Sequence, residues 1–393
     1  MQDLSHLKRS KSHIYGCLHV WKAQPSAAKK LSLGWTVQLH TQSHGIFYYF
    51  LISSSTTQPQ RQTEAKGQPY VVEDCLGVLQ LLSDGTVVRA KPPPYPAGAD
   101  YDDGRVEWKD LVFDAGYNLG VRIYRPRRRG DADESSTWTS KLPLVVYFHG
   151  GGFCFGSYSW PKNHVGGLRL AAELEAVVLS FDYRLAPEHR LPAAIEDAAA
   201  ALRWLPGFML SDPWLAGASS RQVFVCGQSS GATLAHHLLL RFGTALPESE
   251  TTTGHGIKIA GYILLMPPFL SEQPTQSELE TPDTALLSRK MSDKYFRLAF
   301  PIGASKDGPL SNPFGPSSPC LQPVDVGRML VVAAERDMVR DKTVEYAQRL
   351  KAMGKDVELV VFAGQEHAFF ATKPLSPASD ELLRVMKRFT AAD

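Results

Sequence analysis

The stretch Val223-Phe224-Val225-Cys226-Gly227-Gln228-Ser229-Ser230-Gly231, running on into Ala232-Thr233-Leu234-Ala235, decides the fold. Residues 223–226 are apolar and bounded by glycine, which reads as a short buried strand. The Ala- and Leu-rich run 232–242 reads as a helix. Between them, G-x-S-x-G sets a serine on a turn so tight that the flanking positions leave no room for side chains. Alone, the motif arises by chance in about one chain in ten of this length. Its weight comes from placement, because a strand, a sharp turn and a helix together present Ser229 at the end of a sheet. The helix N-terminus beneath it favours developing negative charge.

Outward from this elbow lie further runs of strand length. Residues 119–124 alternate, whereas 144–148, 177–181, 259–266, 329–332 and 357–362 are nearly continuous in apolar residues, as strands buried on both faces are. Helical stretches separate them. Residues 193–205 are Ala-rich, 341–353 follow a strand directly, and Leu382, Val385, Met386 and Phe389 form an i, i+3, i+4, i+7 stripe. The alternation predicts an α/β fold with a mostly parallel central sheet flanked by helices. Residues 126–140 read as a solvated loop. Residues 70–110 and 267–316, the latter rich in Pro, Ser and mixed charge, fit neither pattern. We expect them to build a cap over the sheet's C-terminal edge, where α/β proteins bind ligands.

The chain has 393 residues, 44% hydrophobic and 21% charged, which excludes wholesale disorder, collagen-like repetition and a multi-span membrane protein. Its 42 basic and 40 acidic residues are too balanced for the electrostatic footprint of a nucleic-acid binder. Cys17, Cys75, Cys154, Cys226 and Cys320 include no C-x-x-C pair, arguing against a zinc ribbon or a disulfide scaffold and for a reducing compartment. Residues 1–69 stand apart: between positions 2 and 63 the only acidic residue is Asp3. They read as a disordered or non-native extension, with organelle targeting and a folded accessory element as the alternatives. Their one apolar run, 46–52, is far shorter than the ~20 residues that span a bilayer. The expected setting is cytoplasmic, with a nuclear pool left open and without stable membrane insertion.

A second signal, His149-Gly150-Gly151-Gly152-Phe153, follows the strand at 144–148 directly. Its glycines let backbone N–H groups approach and hold a tetrahedral oxyanion. A phosphate-binding loop is the rival reading, but neither G-x-G-x-x-G nor a Walker lysine is present. A base and an orienting acid must then follow the serine in chain order. His367 lies just past the last strand, where a loop can carry it over the sheet edge to Ser229. His189, His236 and His237 sit in or beside helices and suit structural roles. For the acid, Glu335, Asp337 and Asp341 all follow the strand at 329–332. Asp341 is placed to cap or begin the next helix, and Asp337, at the loop tip, is the candidate.

HGGGFCFGS (149–157), DYRLAPEHRLPAAIEDA (182–198), GQSSG (227–231), ERDMVRD (335–341) and EHAFF (366–370) closely resemble the plant carboxylesterase family, the hormone-sensitive-lipase-like branch of the α/β-hydrolases. Residues 71–89, VVEDCLGVLQLLSDGTVVR, resemble a subgroup that includes strigolactone-cleaving carboxylesterases. The resemblance implies an α/β-hydrolase fold with Ser229, Asp337 and His367 as catalytic triad. It also implies an oxyanion hole from the N–H groups of Gly151, Gly152 and Ser230, with His149 and Gly150 completing the motif. The chain departs from the family's G-D-S-x-G-G-N at Gln228, Ala232 and Thr233. Asp182, Arg184, Glu188 and Arg190 are expected to form a polar network beneath the site. No cofactor or metal is expected. The expected partner is a small-molecule ester, met by a monomer or homodimer. Gibberellin receptors share this fold and most of these motifs but resemble esterases whose catalytic His is replaced by an aliphatic residue. His367 therefore points to an enzyme over a receptor.

Overall fold

The computed structural model describes residues 68–92, 102–127, 141–247, 249 and 256–391. All but the last two residues of the extension inferred at 1–69, and most of the loop at 126–140, lie outside the described residues. The chain first forms a small antiparallel sheet of β1 (Val71–Cys75), β2 (Leu79–Leu82) and β3 (Val87–Arg89). An antiparallel pair follows, β4 (Val106–Asp114) and β5 (Leu119–Pro126). Strands and helices then alternate through β6 (Leu142–Phe148), α1 (Pro161–Leu174), β7 (Val177–Phe181), α2 (Ala193–Ser211), β8 (Ala218–Gln228) and α3 (Ser230–Phe242). The two-residue β9 (Ala245–Leu246) pairs with β10 (Ile257–Leu265). An insertion carrying α4 (Gln276–Glu280) and α5 (Arg289–Ala299) precedes β11 (Arg328–Ala334), α6 (Arg340–Ala352), β12 (Asp356–Phe362), α7 (Phe369–Thr372) and α8 (Pro377–Ala391).

The central sheet runs β12-β11-β10-β8-β6-β7-β5-β4. Its first six strands are mutually parallel, and β5 and β4 close one edge antiparallel. Alternate residues of β6 serve opposite faces, as strand periodicity requires. Leu144, Val146 and Phe148 join a core with Leu202 of α2 and Leu238 of α3, whereas Val145 and Tyr147 join one with Leu168 of α1 and Leu382 of α8. The mostly parallel sheet flanked by helices is thus the expected architecture, and every expected strand lies within or overlaps an observed one.

Among the elements that were not anticipated are β4 and α1. β4 reads Val-Glu-Trp-Lys-Asp-Leu-Val-Phe-Asp and is a half-exposed edge strand, so it lacks the continuous apolar run of a buried strand. It corrects the expectation for 70–110: residues 106–110 belong to the central sheet, while β1 to β3 stand apart from it. α1 carries Gly166 and Gly167 and no side-chain N-cap bond, which blunts its helical signature.

The insertion at 267–316 is tied down through both of its helices. Asp341 Oδ2 accepts the Ser277 N–H at 2.7 Å, and Ser277 Oγ donates to the Met338 carbonyl at 2.8 Å. Asp341 lies in the first turn of α6, as expected of a residue that caps or begins that helix, and it also satisfies a first-turn N–H of α4, whose N-cap is Thr275. From α5, Lys294 Nζ donates to the Asp74 carbonyl and Arg297 pairs with Glu73, both at 2.7 Å, joining the insertion to β1. Among the described residues no helix is long and apolar enough to cross a membrane.

Candidate active site

Because β6, β8, β11 and β12 run parallel, the segments that follow them emerge at one edge of the sheet. Those segments carry His149, Ser229, Asp337 and His367. Ser229 sits at φ 51° and ψ −121°, a strained conformation that costs on the order of 1–3 kcal/mol and recurs at functional sites. The packing imposes it. A Cβ at Gly227 would lie 2.0 Å from the Gly231 carbonyl oxygen, and one at Gly231 would lie 2.1 Å from that of Phe148. The helix start and two strands meet there with no space for a methyl group.

His367 bridges the other two residues. Its Nε2 lies 3.0 Å from Ser229 Oγ and its Nδ1 lies 2.6 Å from Asp337 Oδ2. Asp337 is 1% exposed, and its Oδ1 accepts the Val339 N–H at 3.2 Å, which fixes the carboxylate plane. With Nδ1 held by a carboxylate, Nε2 is left to accept the serine proton. Glu335, the neighbouring acid, is engaged elsewhere: its Oε2 accepts the Gly364 N–H at 2.6 Å, pinning the loop that carries His367. Arg336 N–H reinforces that loop by donating to the Gln365 carbonyl at 2.8 Å.

The glycine loop closes over the elbow. Among the described residues, the N–H groups of Gly151, Gly152 and Ser230 have no acceptor in the chain. Ser230 is also the first residue of α3, whose dipole favours an anion there. Gly152 adopts φ +60°, and a Cβ there would lie 2.5 Å from the Tyr295 ring. Arg89, at the end of β3, braces this loop: it donates to the Cys154 carbonyl at 2.6 Å and the Ala186 carbonyl at 2.8 Å, and pairs with Glu188. Its partners lie 65 to 99 residues away in sequence, so no local pattern could have marked it.

The four residues expected to form one polar network do not bond to one another. Asp182 accepts from Tyr158 N–H and Ser157 Oγ, Arg184 pairs with Asp197, Glu188 pairs with Arg89, and Arg190 donates to the carbonyls of Arg297 and Phe300. The segment after β7 thus fastens four different neighbours, with side chains leaving a winding backbone in different directions. Gln228, where the family pattern has Asp, is bonded by the Tyr147 hydroxyl at 3.0 Å.

His149 is fully buried, stacks on Tyr183 at 4.5 Å and bonds through Nδ1 to its neighbour's carbonyl, Gly150 O, at 2.8 Å. His236 bonds Tyr346 and, like His149, serves the interior. Burial lowers His149, His164 and His237 to about 4, and His236 well below the ordinary 6.5. The unfolded chain therefore binds more protons between about pH 6.5 and 4, and stability from these groups is lost as pH falls through that window. Asp182, raised to about 6 by burial, and Glu278, also raised by burial, act in the opposite sense. With four histidines against two carboxylates, the urea midpoint is expected to be lower at pH 5 than at pH 7.5. An equal or higher midpoint at pH 5 would contradict this assignment.

A narrow cavity opens beside Ser229. Ser229 and Thr233 form part of its floor, Gly152 and Phe153 one side, and insertion residues including Leu270, Leu287, Tyr295, Phe296 and Leu310 its roof. A larger groove lined by Glu280, Arg336, Asp337 and Arg340 does not include Ser229. Among the described residues, no group of three or more His, Cys, Asp or Glu is placed to hold a metal ion.

The family model of the α/β hydrolase fold matches residues 145–371. Probable carboxylesterase 6 of Arabidopsis thaliana is 33% identical over 301 residues, covering 76% of this chain and 84% of that protein. The 2-hydroxyisoflavanone dehydratase of Glycyrrhiza echinata is 31% identical over 347 residues, covering 85% of this chain and 98% of that protein. Gibberellin receptor GID1 of Oryza sativa subsp. japonica is 30% identical over 267 residues, covering 64% of this chain and 72% of that protein. Among solved structures, the Pyrobaculum calidifontis esterase superposes with a TM-score of 0.57 at 30% identity, covering 73% of this chain and 84% of that one.

Proposed function

Since this chain belongs to the α/β-hydrolase fold family, on its plant carboxylesterase branch, and is a carboxylic ester hydrolase, we propose that it cleaves small-molecule esters or lactones through an acyl-enzyme on Ser229. The observation that carries this reading is the unbroken relay from Ser229 Oγ through His367 to a buried Asp337. In this mechanism His367 Nε2 takes the Ser229 proton as Oγ attacks the carbonyl carbon. Asp337 holds the imidazole in the required tautomer and stabilises the imidazolium that forms. The N–H groups of Gly151, Gly152 and Ser230 receive the oxyanion. His367 then returns the proton to the leaving alcohol, and water repeats the attack to release the acid.

A pure receptor role would need no base within reach of Ser229, so the 3.0 Å contact from His367 argues for turnover. Strigolactone-type lactones are within the proposed substrate class on the resemblance of residues 71–89. A hydrolysis screen of p-nitrophenyl acyl esters of rising chain length alongside lactone-bearing hormones tests the proposal. Turnover of at least the short-chain esters is expected, and saturable binding without any hydrolysis would favour the receptor.

A further inference from the structure

Thr233 stands where the family pattern has Asn, and its place in the structure is unusual for a helical threonine. Threonines inside helices ordinarily donate to the carbonyl four residues back. Thr343 does so to Val339 at 2.8 Å and Thr390 to Met386 at 3.1 Å. For Thr233 that acceptor is the Ser229 carbonyl, which already receives the Ala232 N–H at 2.8 Å and the Thr233 N–H at 3.2 Å. Thr233 is 2% exposed and its Oγ1 has no partner. A buried hydroxyl without a partner is costly, and an acceptor from outside the chain would satisfy it.

The cavity beside the nucleophile can bring one. Thr233 lies one helical turn beyond Ser229 on the same face, and both line that cavity. The roof opposite is largely apolar, built from residues such as Leu270, Leu287 and Phe296. A few donors on a largely apolar wall, here Thr233 with Ser292 and Tyr295 besides the nucleophile, fix orientation and specificity in the way small-molecule sites do. We propose that Thr233 is a specificity-determining residue whose hydroxyl donates to an ether, carbonyl or hydroxyl oxygen on the substrate arm that enters this cavity. The preferred substrates are then oxygenated esters over plain alkyl ones. This rests on the ester-hydrolase reading of the same site.

The test uses two pairs of esters in which oxygen replaces one methylene at nearly constant shape. One pair varies the acyl arm, p-nitrophenyl methoxyacetate against p-nitrophenyl butyrate, and the other the alcohol arm, 2-methoxyethyl acetate against butyl acetate. For each pair the ratio of kcat/KM is compared among the wild type, Thr233→Val and Thr233→Ser. Within one pair, Thr233→Val is expected to lower the oxygen-to-methylene ratio about five- to tenfold, and Thr233→Ser to retain the wild-type ratio. A ratio cancels any loss of folded protein. Ratios within twofold of wild type in both pairs for Thr233→Val would overturn the proposal while leaving the esterase intact. Failure of the wild type to hydrolyse any of the four would overturn the ester-hydrolase reading and this proposal with it.

Discussion

Ser229→Ala is expected to lower kcat for a short p-nitrophenyl ester by about 10⁴-fold or more while leaving the melting temperature nearly unchanged. Removing the nucleophile of a triad eliminates the covalent route and leaves only what the oxyanion donors and substrate binding contribute. The fold has little at stake, because the hydroxyl's recorded bond is to His367, and alanine meets the elbow's φ of 51° no worse than serine does. Initial rates paired with a thermal melt check both halves. A variant that keeps more than a tenth of wild-type kcat/KM would show that another group attacks the ester.

The second large effect belongs to the acid. Asp337→Asn is expected to cost on the order of 10³-fold or more in kcat, against about 10⁴ for the template triad. Asparagine can present an N–H to Nδ1 and so favours the wrong imidazole tautomer, and it carries no charge to stabilise imidazolium. KM should move much less, since Asp337 is sealed behind His367 at 1% exposure. The neighbouring acids provide the control. Glu335→Gln retains an acceptor for the Gly364 N–H and is expected to cost less than about tenfold. Asp341→Asn weakens the tie to Ser277 that anchors the insertion, and should act on stability by about 1 kcal/mol. Kinetics of all three variants with one ester at pH 8 separate these roles. A deeper loss for Glu335→Gln than for Asp337→Asn would reassign the acid.

The parallel strands could be read from sequence because burial on both faces leaves an unbroken apolar run, as in 177–181 and 329–332. The positions of Ser229, Asp337 and His367 followed from the same logic, since each falls just past such a strand. β4 escaped because an edge strand buries one face and reads as a mixture of charged and apolar residues. Long-range partnerships escaped for a different reason. Nothing local in the chain says that Arg89 will reach the Cys154 carbonyl, or that Asp341 will accept the N–H of Ser277, 64 residues earlier. The vacant bonding capacity of Thr233 was equally hidden, because it depends on how many donors the Ser229 carbonyl already receives. Sequence motifs thus marked the proposed reacting groups, whereas the residues that brace them are defined by packing.

The central claim is that Ser229 is a nucleophile activated by His367. The most direct test treats the full-length protein with a fluorophosphonate, which loses fluoride to an activated serine and leaves a stable phosphonyl adduct in the oxyanion hole. Intact mass spectrometry with peptide mapping then counts and locates that adduct while residual esterase activity is followed in parallel. The account predicts one adduct per chain, on Ser229, with activity falling in proportion to labelling. Labelling at another residue, or full labelling of Ser229 with activity retained, would contradict it.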